Sequence, residues 1–461
     1  MKSTRHTMAL TLAGTLAIGT LAACSSGPDD DGAAEDGTVT LKVVALLPGS
    51  TDEAIEAFDQ QVAEFEEAHP DIDVQPEEYE WKATTFAAQL AGGTLPDVFE
   101  IPFTDAQGLV ENGQLADMDA QFRALPYAEK FNPTILEAGT GPDGHVYAIP
   151  AKNAYPVALH YNRALFESAG LDPDAPPTTW DEVRAAAKAI ADANPGVAGF
   201  ATMTQNNTGG WQLTAQTVAH GGRTVEVDDE QQATATLDND GTKVALELLQ
   251  QMRWDDNSMG ANFLLDWGSI NQEFSAGQVG MFTSGSDIYT SMVQTNAIDP
   301  AIYGLAPVPL EGDDAATLTG GTLAGVPAGA SDEVKDAAIE WIDFFYLNKL
   351  VDEDRAVADA ETLVANDQPV GTPVLPMFSE EQYQQNQEWI ADYINVPLDQ
   401  MAPFTEAMFD LPLVGEPSQK TQEIYALLDP VVQAVLTNEN ADVDALLEQA
   451  DSQAQSLLDQ G

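Results

Sequence analysis

After residue 38, apolar and polar positions follow two rhythms that take turns along the chain. Residues 39–47, "VTLKVVALL", alternate and then run continuously apolar, the pattern of a strand buried on both faces of a sheet. From Ser50 the period lengthens. With Glu53 at the capping-box spacing, Ile55, Phe58, Val62 and Phe65 recur at helical intervals and predict a helix that His69-Pro70 ends. "DIDVQPE" alternates as a second strand, residues 81–91 form a second helix candidate, and "DVFEI" after "GGTLP" is a third short strand. This alternation predicts an α/β fold with a largely parallel sheet. Further on, "VYAIP", "VALHYN", "YGLAPVPL" and "TLAGVPA" read as strands, Thr179-Trp180-Asp181-Glu182 caps a helix, and the last hundred residues are mostly helical.

The first 37 residues obey neither rhythm. Lys2, Arg5 and His6 precede an apolar run over residues 8–23, shorter than the ~20 residues a membrane-spanning helix needs, which predicts a signal peptide. Leu21-Ala22-Ala23-Cys24 resembles a bacterial lipobox, which implies cleavage before Cys24 and lipid on its thiol. Residues 27–37 contain no large apolar side chain and predict a solvated acidic tether. Cys24 is the only cysteine, so no internal disulfide holds the fold.

Charge then narrows the partners. Lys plus Arg number 17 against 75 Asp plus Glu, a net charge of -58; loss of residues 1–23 with Lys2 and Arg5 leaves 15 minus 75, or -60. Such a chain repels nucleic acid and anionic lipid, and its self-repulsion predicts adaptation to a saline medium.

Several blocks, in order, resemble the carbohydrate-binding, maltose-binding-protein-like group of extracellular solute-binding proteins of ABC importers. They are "AFDQQVAEFEEAHPDIDV", "AAQLAGGTLPDVFEIPFTDAQGLVENGQLADM", "YNRALFESAGLDPDAPPTTWDEV", "FSAGQVGMFTSGS" and "GGTLAGVPAGASDEVKDAAIEWIDFF". The resemblance implies a two-lobed, periplasmic-binding-protein-like (type II) fold with discontinuous lobes joined by a hinge. The first lobe is expected at residues 39–153 and 324–375, the second at 154–323 and 376–461. It also implies a monomer that carries a carbohydrate to the transmembrane subunits of an ABC permease, without a cofactor and without catalysis.

A sugar presents apolar C–H faces and a rim of hydroxyls, so its site needs flat aromatic side chains beside carboxylates or amides. Candidates lie in loops after strands. Ser50 and Asp52 follow the first strand and either face the cleft or cap the helix. Trp81 precedes the second helix, and Phe103, Thr104 and Asp105 follow the third strand; Asp105 is a hydroxyl binder or a helix cap. By resemblance Tyr155 stands where the maltose-binding member has a sugar-gripping carboxylate. Asn206, Asn207 and Trp211 pair two amides with a stacking face, or form a polar turn before a helix whose Trp packs inward. Gly285, Ser286 and Asp287 end a strand, and Gly320, Gly321 and Thr322 permit close backbone approach or make a hinge turn. Trp180 and Trp341 sit in helix-start and helix-core patterns and belong to the core.

Other chemistries find little purchase. No HExxH, P-loop, CxxC or GxSxG motif occurs; Thr236, Asp238, Asp240, Gly241 and Glu247 imitate a calcium loop but lack the first acid. The same fold with a polyamine, an iron complex or a peptide remains open, as does an exported glycoside hydrolase with a carboxylate pair.

Overall fold

A computed structural model describes residues 38–152, 154–228, 232–417 and 419–460. The signal peptide, Cys24 and the acidic tether lie outside the described residues.

The first strand, Val39–Val44, pairs in parallel with Ile72–Glu77, and Val43 bridges Val98 in the same sense. Between the first two strands the helix Asp52–Ala68 buries Ala54, Ala57, Phe58, Gln61, Val62 and Phe65. Its cap is Thr51, which accepts from the Ala54 N–H; Ser50, the cap expected from the sequence, instead donates its hydroxyl to Leu47 O at 2.7 Å. The second helix begins at Ala83, so Trp81 sits just ahead of it. Phe65, Phe58 and Phe345 pack around Trp341, with the Phe345 ring stacked on the indole at 5.1 Å.

The sheets are mixed rather than largely parallel. Thr322–Gly325 runs antiparallel between Phe99–Pro102 and Ala148–Pro150. In the second lobe Tyr155–Asn162 is central and almost wholly buried, antiparallel to Val279–Gly285, Tyr303–Pro307 and Thr317–Gly320. Ala198–Phe200 restores the parallel sense beside Val279–Gly285. The chain crosses between the lobes along extended segments.

Two of these crossings are close together: residues 151–155, and residues 320–322 between two strands that belong to different sheets. Leu375 bridges Ala154 and marks a third. Beyond residue 376 the chain still packs on the first lobe: Asn386 Nδ2 donates to Lys349 O at 2.7 Å, and Asn395 accepts from the Val370 N–H at 2.8 Å. Leu398–Thr405 then packs on Tyr303–Pro307 of the second lobe.

One helix shapes the site more than any other. Thr208–Ala219 is buried along its whole length, polar residues included; among these, Gln212 exchanges hydrogen bonds with Thr283 of the central sheet at 2.6 Å. Gly209 and Gly210 let it lie against Thr421–Thr437: a methyl on Gly210 would sit 2.3 Å from the Tyr425 Cα and carbonyl oxygen. The Gly-Gly pair is therefore a close-packing device. Trp180 and Trp341 are buried, as expected of core residues. The calcium-like stretch is the start of the helix Asp240–Gln250, capped by Asn239.

Candidate functional site

Two indole–carboxylate pairs face the junction of the lobes. In the first lobe Trp81 Nε1 donates to Asp105 Oδ2 at 2.9 Å. In the second, the Tyr425 hydroxyl donates to Glu416 at 3.0 Å, and the Trp211 indole stands near enough to the same carboxyl to favour its charged form. Glu416 was not among the sequence candidates. It follows the short strand Leu413–Gly415, which runs parallel to Thr317–Gly320 and so ends beside the hinge glycines.

Tyr155 links these groups. It pairs with Gly320, where an added methyl would lie 2.6 Å from Glu416 Oε2 and 2.8 Å from the Tyr155 hydroxyl. At the other end of the ring, a methyl on Gly285 would lie 2.7 Å from Asp287 Oδ1 and 2.9 Å from Tyr155 Cδ2. The ring is thus flanked by two carboxylates, each set over a glycine. Phe103 closes the cleft floor: a methyl on Gly321 would meet its ring at 2.3 Å. At each of these three positions an added methyl would force a neighbouring side chain to shift.

The carboxyls are held away from their ordinary acidity. Burial pushes Asp105 up to about 7, against the pull of the Trp81 N–H and with help from the nearby Glu423 carboxylate. Burial likewise pushes Glu416 up to about 7; the Tyr425 and Trp211 donors lower it and the field of Asp105 raises it. Asp287 rises to about 6, again by burial, with its own backbone N–H and Lys152 opposing. The phenol of Tyr155 is raised by burial and by Glu416 and Asp287. Near neutral pH the site thus mixes protonated and ionised carboxyls, and can both donate to and accept from hydroxyls.

The remaining candidates separate into neighbours and outliers. Thr104 accepts from Gln422 Nε2 at 2.9 Å, a bond between the first lobe and the second-lobe helix Thr421–Thr437. Asn207, at φ 70°, donates Nδ2 to Gln422 O and Oε1, so Gln422 ties Thr104 to Asn207. Asn206 is exposed and donates to Asp266. Trp211 is buried edge-on against Trp267 at 4.7 Å, a ring the sequence reading passed over. The Ser286 hydroxyl is buried without a partner among the described residues, and Thr322 serves the sheet opposite Pro102. Ser50 and Asp52 stand outside the cluster: Ser50 closes a turn and Asp52 is exposed in a first helical turn. Beside them the Thr51 N–H donates to Gln294 O at 2.8 Å, a second contact between lobes. The lobes therefore touch at both ends of the cleft.

The family model for bacterial extracellular solute-binding proteins matches residues 49–350. The chain belongs to that family. Among curated relatives, the sn-glycerol-3-phosphate-binding periplasmic protein UgpB of Brucella melitensis is 28% identical over 232 residues, 48% of this chain and 50% of that protein. The chain spans about half the length of the curated relatives it matches. Among solved structures, an ABC transporter solute-binding protein from Thermotoga lettingae bound with α-D-tagatose superposes at a TM-score of 0.72 and 19% identity, covering 91% of this chain and 99% of that one. A cyclic α-maltosyl-1,6-maltose binding protein from Arthrobacter globiformis reaches 0.64 at 23% identity, over 92% and 100%. UgpB from Mycobacterium tuberculosis with glycerophosphocholine reaches 0.68 at 20%, over 92% and 99%. At these identities the likeness carries the two-lobed α/β fold.

Proposed function

We propose that the chain captures a carbohydrate between its lobes and presents the closed form to the transmembrane subunits of an ABC permease. The observation that carries this reading is the pair of indole–carboxylate units, Trp81–Asp105 and Trp211–Glu416, one on each lobe with Tyr155 between them. A solute touching both units binds the closed state more tightly than the open one, and so draws the lobes together. The ligand set we assign is Trp81, Phe103, Asp105, Tyr155, Asp287 and Glu416, with Trp211 and Tyr425 fixing Glu416. Gly285, Gly320 and Gly321 keep the floor open. Binding to a sugar panel followed by thermal shift tests this, since a ligand stabilises only the state it binds; no shift with any sugar would overturn it.

A second reading follows from the relatives named for sn-glycerol-3-phosphate. Charge argues against a phosphate ester here. Asp105, Glu416 and Asp287 supply carboxyls, while Lys82 is bound to Glu80 and Lys152 to Glu100. A glycoside hydrolase would also use two carboxyls, and release of reducing sugar from an oligosaccharide would favour that reaction.

The same proposal includes export, cleavage before Cys24, a lipid anchor on that cysteine at the outer face of the cell membrane, and a monomeric mature protein. We place the lobe boundaries at 39–153 and 324 to about 395 for the first lobe, with 154–323 and the remaining C-terminal residues in the second. Packing of Asn386 and Asn395 on the first lobe supports that later crossing.

A further inference from the structure

Three carboxyl groups gather around Tyr155 without a cation of their own. Asp287 Oδ1 and Glu416 Oε2 flank the Tyr155 ring, over Gly285 and Gly320, and the field of Asp105 reaches Glu416 from the first lobe. Among the described residues none of the three forms an ion pair: Lys82 is held by Glu80, Lys152 by Glu100 and Lys349 by Asp359. Enclosed acids elsewhere in the chain are compensated. Asp359 accepts from Gln61 and pairs with Lys349, and Asp429 accepts the N–H groups of Asn207 and Gly210. The ionisable neighbours of the cleft carboxyls are Tyr79 and Glu423 beside Asp105, Tyr155 and Tyr425 beside Glu416, and Tyr155, Tyr303 and Lys152 beside Asp287. Of these, Lys152 alone is a cation, and its ammonium is committed to Glu100.

Acceptors therefore outnumber donors between the lobes. Trp81 gives one hydrogen to Asp105, Tyr425 gives one to Glu416, and Asp287 draws on its own backbone N–H. An ionised carboxylate can accept about four. A sugar hydroxyl brings one donor together with acceptors of its own, whereas an ammonium brings three donors and no acceptor. Closure sharpens the demand. It sets Asp105 of the first lobe against Glu416 and Glu423 of the second, like charges that oppose each other unless a positive charge lies between them. The rings of Trp81, Phe103 and Tyr155 offer faces that also attract a cation. Enclosure without a counter-charge is what keeps protons on these carboxyls, and a bound cation would displace them.

We infer that the solute gripped between the lobes carries a protonated amine, held among Asp105, Asp287 and Glu416, so that the ligand class is an amino sugar. The inference rests on the carbohydrate reading above and deepens it. Titration calorimetry of the mature chain at pH 6.5 and one fixed salt concentration tests it with glucose, N-acetylglucosamine and glucosamine, and with the β-1,4-linked dimer of each. In at least one size the amine is expected to bind at least about tenfold more tightly than both neutral counterparts, as a charge-assisted hydrogen bond implies. Repeated in buffers of different ionisation enthalpy, its binding should release protons, because an ammonium favours the ionised carboxyls; the neutral sugars should release fewer. Asp287→Asn and Glu416→Gln keep the shape but not the charge, and each should lower the amine-to-neutral affinity ratio by about fivefold or more. A merely structural role for these carboxyls would lower both affinities and leave the ratio as it was. Should a variant fail to fold, proton release by the wild type still decides. Equal affinities for amine and neutral sugars, or an amine bound without proton release, would overturn the amine and leave the carbohydrate reading standing. Binding of none of the six sugars, or of spermidine alone, would overturn the carbohydrate reading and the amino sugar with it.

Discussion

Glu416→Gln should change how stability depends on pH, and the sign is opposite to that of an ordinary paired carboxylate. Burial raises Glu416 from 4.5 to about 7, so the folded protein holds a proton that the unfolded chain releases. By linkage, stability from this group is fully present below the unfolded value and is lost as pH rises through the folded one. Each unit corresponds to about 1.4 kcal/mol, so the shift is worth about 3 kcal/mol between pH 4.5 and 7. His160 and His220 oppose it: burial lowers both, His160 to about 3, so their contribution grows as pH rises towards 6.5. The informative quantity is therefore the difference between wild type and variant. An unfolding entropy of about 2 cal/mol/K per residue over roughly 420 folded residues converts 3 kcal/mol into about 3 °C. Differential scanning calorimetry at pH 5 and 7.5, at one fixed salt concentration, should show wild type losing about 2–3 °C more than Glu416→Gln across that interval. Parallel curves would refute a carboxyl at the hinge that burial keeps protonated.

Gly210→Ala places a methyl 2.3 Å from the Tyr425 backbone and should cost about 1–3 kcal/mol by thermal melt, with Gly268→Ala, which has open space, as the unaffected control. Gln422→Ala removes the link between Thr104 and Asn207; small-angle scattering should show a more open ligand-free chain, and binding should weaken about three- to tenfold. A net charge of -58 predicts that the Tm rises with sodium chloride from 0.05 to 1 M; a flat dependence would remove the saline-adaptation reading. Cys24→Ala should move the protein from the membrane fraction to the soluble one without changing its affinity for ligand.

The alternation of periods was enough to read the first strand and helix pairs, and the ends of those strands led to Trp81 and Asp105. The first helix cap shifted by a residue because Ser50 and Thr51 are adjacent short polar side chains that sequence alone does not rank. Strand direction was not legible: Tyr155–Asn162 is apolar throughout, which suits a parallel or an antiparallel buried strand equally. Glu416 escaped notice because its three-residue strand is mostly exposed and has no period to detect. Its place beside Gly320 comes from pairing almost a hundred residues away in sequence. The "NNTGGW" stretch was singled out for its amides, whereas its glycines set the helix packing that brings Tyr425 and Trp211 to one carboxylate.

The central claim is that one carbohydrate bridges an indole–carboxylate unit on each lobe. Titration calorimetry of wild type, Asp105→Ala and Glu416→Ala against the best sugar from the panel tests it most directly. Each variant, one per lobe, is predicted to bind at least about tenfold more weakly while remaining folded, as loss of a charge-assisted hydrogen bond implies. Unchanged affinity in either variant, or binding of glycerol 3-phosphate with no sugar bound, would contradict the account.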